Sequence, residues 1–248
     1  MNPLLETDFF WDMRIQSLDK MVLEPIQNHV EMGLEKLEDL EDKLNEITYY
    51  PALFEGAFGD SEITKERIAS GLSQFLKSMV SHQSKFDRAY EEGSSVFSEK
   101  EKDGRQLFNS KARCYHCHDG ANFNESADLS WQTQPKIANI GLDENYTDLG
   151  VGTYDADRVG EFKIPSLRNV ELTAPYMHDG RFNTLMEVVE HYNSQIQAHP
   201  NLDERLMKNG APFRMELSEY EKEALVAYLT TLTDEEFIRD ERFSSPFE

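Results

Sequence analysis

Cysteine and basic side chains are both scarce in this sequence. Only two cysteines occur in 248 residues, and 25 lysines and arginines stand against 47 aspartates and glutamates, which gives a formal net charge of −22. A chain this acidic repels phosphate backbones and anionic lipid, which argues against nucleic acid and membrane surfaces as partners. It suits a basic protein partner, although an acidic surface is equally common in proteins that are merely soluble.

Long hydrophobic runs, a leader sequence and strand-like alternation are lacking as well. No apolar run approaches the roughly 18 to 20 residues that a membrane span needs. The opening residues MNPLLETDFF contain neither the basic region nor the apolar region of a secretory leader. Because no segment alternates convincingly between apolar and polar residues, we expect a mostly helical protein without a membrane span.

Helical periodicity is clear in the first half of the chain. Two stripes of apolar residues recur at the spacing of a buried helix face, and Thr64 precedes the second stripe as a candidate cap. The stripes are Leu34, Leu37, Leu40 and Leu44, followed by Ile68, Leu72, Phe75, Leu76 and Met79. We expect both to face a core.

The second half begins after a soft boundary at Gly93-Ser94-Ser95. Ser98 with Glu101, and Ser218 with Glu221, have the spacing of capping boxes, which predicts one helix over about 99–110 and another near the C-terminus. Between them, residues 119 to about 180 are rich in Gly, Asp, Asn and Pro and show little periodicity. Irregular segments of this length typically wrap a ligand or form a functional site.

Both cysteines lie in one short cluster, Cys114-Tyr-His-Cys117-His118. A dithiol redox pair usually follows a strand in a βαβ unit, and no such unit is predicted here. A zinc site would need two further ligands, and no second cysteine pair exists. Cys-x-x-Cys-His is the spacing for covalent attachment of a c-type haem, with two thiols for the vinyl groups and the histidine for the iron. We therefore predict haem c at this cluster, with His116 as a spacer.

Three downstream residues are candidates for the opposite side of the iron. Met177 would suit an electron-transfer cytochrome of high potential, although a core methionine is an equally good interpretation. His178 lies in the turn-rich segment PYMHDG, where it could cap a turn or bond a propionate. Tyr192 is the third candidate, and the residues alone leave the choice open.

Residues 162–193, FKIPSLRNVELTAPYMHDGRFNTLMEVVEHYN, strongly resemble the C-terminal domain of bacterial di-haem cytochrome c peroxidases. That family includes the methylamine-utilisation enzymes that mature a quinone cofactor on a partner protein. FFWDMR at 9–14 and EPIQNHVEMG at 24–33 resemble its N-terminal domain. The resemblance covers essentially the whole chain. It implies an all-α protein with residues 1–93 as the remainder of the N-terminal, peroxidatic cytochrome-c-like domain and 94–248 as the C-terminal haem domain.

The resemblance also assigns residue roles. It places Tyr192 at the distal ligand position, where peroxidases proper carry methionine and the quinone-maturing subgroup carries tyrosine, so Met177 becomes the alternative ligand. A phenolate ligand would stabilise ferric iron and suits high-valent states. Trp11 matches a tryptophan that helps to carry electrons between the haems. Glu31 matches the catalytic acid/base near the peroxide site.

Further implied sites are a calcium ion and a haem edge. Calcium would be bound by the backbone carbonyls of Thr173 and Pro175, and Arg168 matches a position from which it could bond a propionate. Two departures from the family pattern are Met21, where relatives commonly have glutamine, and Met13, where they usually have glycine. The first weakens the expected hydrogen bonding of the peroxide pocket, and the second implies a local backbone adjustment.

Only one Cys-x-x-Cys-His occurs, whereas the family has two. We therefore expect a C-terminal piece of a longer, periplasmic di-haem protein. That protein would reduce hydrogen peroxide with electrons from a small cytochrome c or cupredoxin, which enter through the haem at Cys114, Cys117 and His118. The alternatives are a Tyr-ligated maturation oxidase acting on a partner protein, and a single-haem electron carrier without peroxide chemistry. A homodimer remains open.

Overall fold

The computed structural model describes residues 6–124 and 136–245. The chain divides into two compact units, Pro3–Met79 and Val80–Glu248, which we call the N-terminal and C-terminal units. Both are mainly helical, in agreement with a cytochrome-c-like peroxidase fold. The division of the family's two domains between residues 93 and 94 stays a prediction. Among the described residues, no helix is both long enough and apolar enough to cross a membrane.

The N-terminal unit consists of short helices joined by turns. They are α1 Leu18–Met21, α2 Glu24–Gln27, α3 Leu37–Glu46, α4 Tyr50–Phe58 and α5 Lys65–Ser78. Thr64 caps α5 as predicted, because its side chain accepts a hydrogen bond from the backbone N–H of Arg67. The core of this unit is small, and its buried members are Phe9, Leu18, Val22 and Ala69.

The two apolar stripes of this unit bury less than expected. No residue of α3 is fully buried, so its leucines are only half-covered. On α5, Ile68 is buried as predicted, but Leu72 and Phe75 are 39% and 47% exposed, so the prediction of a core role was wrong for those two. The periodicity located a helix face correctly, but only part of that face meets another element.

The described part of the C-terminal unit combines α-helices of similar length with two short antiparallel strand pairs. Its helices are α6 Lys85–Glu92, α7 Glu99–Phe108, α8 Leu185–Glu190, α9 Glu219–Thr230 and α10 Glu235–Ile238. A π-helical turn, His191–Gln195, continues α8. Strand β1 Ile137–Ala138 pairs with β2 Phe162–Lys163, and β3 Met207–Lys208 pairs with β4 Ala211–Pro212. Two-residue strands are too short to show alternation, so the sequence pattern did not predict them.

Reciprocal capping boxes begin four helices of this unit. The predicted boxes at Ser98 and Ser218 are both confirmed. Each serine side chain accepts a hydrogen bond from the backbone N–H of the glutamate three residues later, and the carboxylate of that glutamate accepts one from the serine's backbone N–H. Two more boxes begin α6 at Ser84 and α8 at Thr184. The helix expected over 99–110 ends at Phe108, just ahead of the cysteine cluster.

The core of the C-terminal unit lies where α7 crosses α9. Gly104 makes this crossing close, because a Cβ atom there would stand 1.9 Å from the carbonyl oxygen of Ala224. The ring of Tyr228 packs edge-on against Phe108 with 5.2 Å between ring centroids. The buried members of this core are Phe108, Ala112, Phe123, Val189, Phe213, Met215, Leu217, Leu225, Tyr228 and Leu232.

Candidate haem site

The two cysteines lie on a single helical turn after α7. A 3₁₀ turn spans Cys114–His116, and the backbone N–H groups of Cys117 and His118 both donate to the carbonyl oxygen of Cys114, at 3.1 and 2.9 Å. Both thiols are free. The sequence-predicted attachment residues therefore occupy one compact turn beside the core.

The surroundings of the thiols do not suit a dithiol redox pair. Burial raises the pKa of Cys114 and of Cys117 to about 12, so both are protonated at neutral pH. A reactive redox cysteine needs the opposite shift, toward thiolate. The zinc alternative also lacks ligands, because within residues 6–124 and 136–245 no three His, Cys, Asp or Glu side chains are grouped to hold a metal ion.

His118 is oriented as an iron ligand would be. Its Nδ1 atom lies 2.8 Å from the carbonyl oxygen of Phe123, so Nδ1 carries the hydrogen and Nε2 keeps its lone pair. Burial lowers the pKa of His118 to about 4, which keeps the ring neutral at physiological pH. A neutral imidazole fixed through its other nitrogen is the usual form of a metal-binding histidine.

Tyr192 lies on the π-helical turn and packs, like Cys114, against the core of the C-terminal unit. Burial raises the pKa of its phenol well above the usual value, and the neighbouring Cys117 and Cys114 raise it further. The phenol is therefore neutral unless a cation compensates it, and ferric iron is such a cation. The structure thus brings Tyr192 close to the cysteine cluster.

The turn that carries Tyr192 is held from two sides. On one side His191 Nε2 donates to the carbonyl oxygen of Ile140 at 3.0 Å. The N–H of Gln197 donates to the carbonyl oxygen of Gly141 at 2.7 Å. On the other side the N–H of Met215 donates to the carbonyl oxygen of Asn193 at 3.1 Å. π-Helical turns are rare and are often found at functional sites.

Met177 and His178 occupy a different turn. Met177 is partly buried, and its φ is 71°. It lies in a turn that is closed by a hydrogen bond of 2.7 Å from the N–H of Tyr176 to the carbonyl oxygen of Phe182. His178 stacks on the ring of Phe162, with 3.7 Å between ring centroids. Neither is among the described side chains packed against the core that Cys114 and Tyr192 share.

Arg168 is buried and engaged with protein groups. Its two terminal nitrogens each bond a carboxylate oxygen of Asp87 at 2.9 Å, and its Nε donates to the carbonyl oxygen of Ala121 at 2.7 Å. It therefore fixes the loop that presents the Phe123 oxygen to His118. Its bond to a propionate stays a prediction. Thr173 and Pro175 are exposed, and the calcium site also stays a prediction.

Glu31 and Trp11 belong to the N-terminal unit. Glu31 is exposed, accepts a hydrogen bond from the Asn28 amide at 2.8 Å, and stands between Val30 and Met32, which are 79% and 72% exposed. Trp11 is 39% exposed on the turn between Phe9 and Ile15. The described residues do not enclose either side chain, and both expected roles stay predictions.

Met13 and Met21, the two departures from the family pattern, differ in their settings. Met13 has φ at 57°, a left-handed conformation that favours glycine, so the turn has the geometry that a glycine would adopt without strain. Met21 is partly buried against the small core of the N-terminal unit.

One feature of the site was not predicted from the sequence: a buried ion pair between Arg205 and Asp203. Arg205 is 7% exposed and one of its nitrogens lies 3.4 Å from the carbonyl oxygen of His116, inside the cysteine cluster. No periodicity or motif marks an arginine as buried. An Asp-x-Arg spacing, which lets the two side chains pair on one turn, was the only available signal.

Comparisons with known proteins identify the relatives of this chain. A sequence model described as Di-haem cytochrome c peroxidase matches residues 1–95. The methylamine utilization protein MauG of Methylophilus methylotrophus is 33% identical over 238 residues, which covers 94% of this chain and 66% of that protein. Cytochrome c551 peroxidase of Nitrosomonas europaea is 30% identical over 243 residues, covering 95% of this chain and 64% of that protein. The chain thus spans about two thirds of the length of these relatives.

Solved structures share the fold. A crystal structure of a MauG-like protein associated with microbial copper homeostasis matches with a TM-score of 0.81 and 30% identity, over 97% of this chain and 76% of that one. The diheme peroxidase BthA of Burkholderia thailandensis E264 matches with a TM-score of 0.68 at 21% identity. Motif, fold and relatives together place this chain in the di-haem cytochrome c peroxidase family.

Proposed function

We propose that this chain binds one haem c through Cys114 and Cys117, and that His118 and Tyr192 are the residues that would bind its iron. The observation that carries the proposal is that Tyr192 and Cys114 pack against the same core while His118 keeps the lone pair of Nε2 for a ligand. The donor set fits the group, because thiols can add across vinyl groups, and a neutral imidazole and a phenolate, formed when Tyr192 loses its proton, would bind ferric iron.

The bound haem would supply one-electron chemistry at the iron. The chain's own residues orient the ligands: Phe123 fixes the His118 ring through its carbonyl oxygen, and the Asp87–Arg168 ion pair fixes the loop that carries Phe123. The two-sided support of the His191–Gln195 turn fixes Tyr192. Rigid support of this kind keeps ligand geometry constant between oxidation states.

As the activity of the whole protein we propose reduction of hydrogen peroxide, with electrons from a small redox protein that enter through this haem. The net charge of −22 favours a basic donor, such as a cytochrome c, which would be attracted to the acidic surface. Glu31 would act as acid and base, Trp11 would carry electrons, and peroxide would react at a second haem. Thr173 and Pro175 would contribute carbonyl oxygens to calcium, and the protein would act in the periplasm.

A second candidate is a maturation oxidase that acts on a side chain of a partner protein. The position of Tyr192 favours it, since tyrosine is the residue of the quinone-maturing subgroup, and a methylamine utilization protein is among the relatives. Peroxide turnover without modification of any partner would count against it. A modified residue found by mass spectrometry on a co-purifying protein would support it.

The ligand assignment is tested by electron paramagnetic resonance of the ferric protein matured with haem. We expect a low-spin signal that changes in Tyr192→Phe and is unchanged in the matched control Met177→Leu. The opposite result would make Met177 the ligand and favour an ordinary electron-entry haem. Steady-state turnover of peroxide with reduced cytochrome c then separates a peroxidase from a plain electron carrier, which would show none.

A further inference from the structure

Arg205 and Asp203 form a buried ion pair, and neither residue is among those proposed to attach the haem or bind its iron. Their side chains are 4% and 14% exposed, and Arg205 donates from Nε and a terminal nitrogen to the two oxygens of Asp203, at 2.8 and 2.7 Å. Two charges with so little access to water interact far more strongly than a surface pair does. Removing one of the two charges would leave the other uncompensated and poorly screened by water.

The pair is fixed to both sides of the site. Arg205 donates to the carbonyl oxygen of Ile137 in β1 at 3.2 Å and approaches that of His116 in the cysteine cluster at 3.4 Å. The backbone N–H of Asp203 donates to the carbonyl oxygen of Asn139 at 3.0 Å. The guanidinium thus stands beside the turn that carries Cys117 and His118, and it is held there by backbone groups.

The two charges are held differently relative to the cysteine cluster. A terminal nitrogen of Arg205 lies 3.4 Å from the carbonyl oxygen of His116, inside the cluster. Asp203 bonds Arg205 through its carboxylate and Asn139 through its backbone N–H. The cation therefore approaches the attachment turn directly, with the carboxylate behind it.

We propose that the Arg205–Asp203 ion pair sets the reduction potential of the iron held at His118. Reduction of ferric to ferrous iron adds one electron to the site, so a fixed buried cation favours the ferrous state and a fixed buried anion favours the ferric state. The inference rests on the proposed haem site, and it adds two residues outside the proposed ligand set.

The test is spectroelectrochemical titration of the haem-loaded protein. We expect Arg205→Gln to raise the ratio of ferric to ferrous haem about tenfold at a fixed poise, which corresponds to 59 mV for a one-electron couple. Asp203→Asn should shift the ratio in the opposite direction. Arg205→Lys, which keeps the charge, should stay near wild type.

A surface ion pair in the same unit supplies the control. Lys100 and Glu223 are bonded at 2.6 Å and are both exposed, so Lys100→Gln and Glu223→Gln change net charge by the same amount in a screened position. Shifts of Arg205→Gln and Asp203→Asn in the same direction, or no larger than those of the control pair, would overturn the inference. If Arg205→Gln fails to fold, the sign of the Asp203→Asn shift decides.

The haem site and this inference fail in distinguishable ways. A wild-type protein without covalent haem overturns both. A wild-type protein with covalent haem and the expected ligand spectrum, but with a potential that ignores Arg205 and Asp203, overturns only the role of the ion pair. Spectra of each variant show whether the axial ligands are retained when the potential moves.

Discussion

The two units of this chain differ in how large a core they build. In the C-terminal unit, Leu232 and Tyr228 are 0% and 2% exposed, and Cys114 packs against the core. In the N-terminal unit, the core cluster has four buried residues, while Leu53 and Phe75 are 59% and 47% exposed. The cysteine cluster and Tyr192 therefore belong to the better-packed unit, whereas Glu31 and Trp11 belong to the unit with the smaller core.

The largest expected effect is the loss of covalent haem from the C-terminal unit. Cys114→Ser combined with Cys117→Ser should abolish covalent haem, because a serine hydroxyl forms no thioether. The measurement is haem staining after denaturing electrophoresis, with expression alongside a c-type maturation system. His116→Gln, a change at the spacer position of the same turn, should retain covalent haem. Covalent haem retained in the double variant would contradict attachment through Cys114 and Cys117.

Matched leucine substitutions compare the two cores directly. Leu232→Ala in the C-terminal unit should lower the free energy of unfolding by about 2–5 kcal/mol, because it leaves a cavity in a fully buried position. Leu53→Ala in α4 should change it by less than about 0.5 kcal/mol, since that side chain is mostly exposed. Urea unfolding followed by circular dichroism measures both. Equal costs would contradict the contrast between the units.

Two helix glycines sharpen the contrast at the level of the backbone. Gly104→Ala should cost about 3 kcal/mol, because the new Cβ would meet the Ala224 carbonyl at 1.9 Å and force α7 away from α9. Gly71→Ala in α5 meets nothing within 4 Å and should stabilise by about 0.5–1 kcal/mol through helix propensity. Thermal unfolding of both variants checks the signs. A stabilised Gly104→Ala would show that the crossing is looser than described.

These examples show how far the sequence could predict the site. That Cys114, Cys117 and His118 share one turn was predictable because they are close in the sequence, and the caps at Ser98 and Ser218 were predictable because capping is local. The close approach at Gly104 was not predicted, since it depends on Ala224, which is distant in the chain. Motifs and helix caps use residues a few positions apart, so a sequence pattern can predict them. Packing contacts join residues that are distant in the sequence, and no short pattern identifies those partners.

The same limit explains the two wrong core assignments and the missed ion pair. The periodicity of Leu72 and Phe75 defines a helix face but not the element that covers it. Arg205 is buried because strand β1 and the cysteine cluster surround it, and these segments lie far from it in the sequence. Tyr192 shows the opposite case, because family resemblance supplied a long-range placement that the residues alone left open.

The carboxylate of Asp234 links the first residues of the C-terminal unit to its last α-helix and makes part of that unit's stability depend on pH. Its carboxylate accepts hydrogen bonds from the backbone of His82 and Gln83 at 2.8 and 2.9 Å and from the N–H of Phe237 at 2.9 Å. Burial alone would raise its pKa, but the N–H groups of Gln83, Phe237 and His82 outweigh burial and hold the pKa below the usual value. The ionised form therefore stabilises the fold above about pH 4, and this contribution is lost as pH falls further.

Asp234→Asn should accordingly cost about 1.5–3 kcal/mol at pH 7, the range for hydrogen bonds to a charged group. The difference between the variant and wild type should shrink as the pH falls from 5 to 3. Urea midpoints across that range measure it. Asp240→Asn is the exposed control: Arg242 also lowers the pKa of Asp240, but solvent screens that surface pair, so we expect a much smaller change than for Asp234→Asn. A difference that does not depend on pH would mean that Asp234 acts through its shape rather than its charge.

The smallest expected effect lies in the N-terminal unit, at the turn of Trp11. Met13 has φ at 57°, which costs a side-chain-bearing residue about 1–2 kcal/mol, whereas glycine adopts it freely. Glycine also makes the unfolded chain more flexible, at a cost of about 0.4–1 kcal/mol, so Met13→Gly should stabilise by at most about 1 kcal/mol. Met32 is exposed and does not have a positive φ, so Met32→Gly relieves no strain and should lower the free energy of unfolding by a similar amount. Fluorescence of Trp11 in a Trp131→Phe background reports on this unit during urea unfolding, and shifts of the same sign in both variants would show that strain at Met13 plays no part.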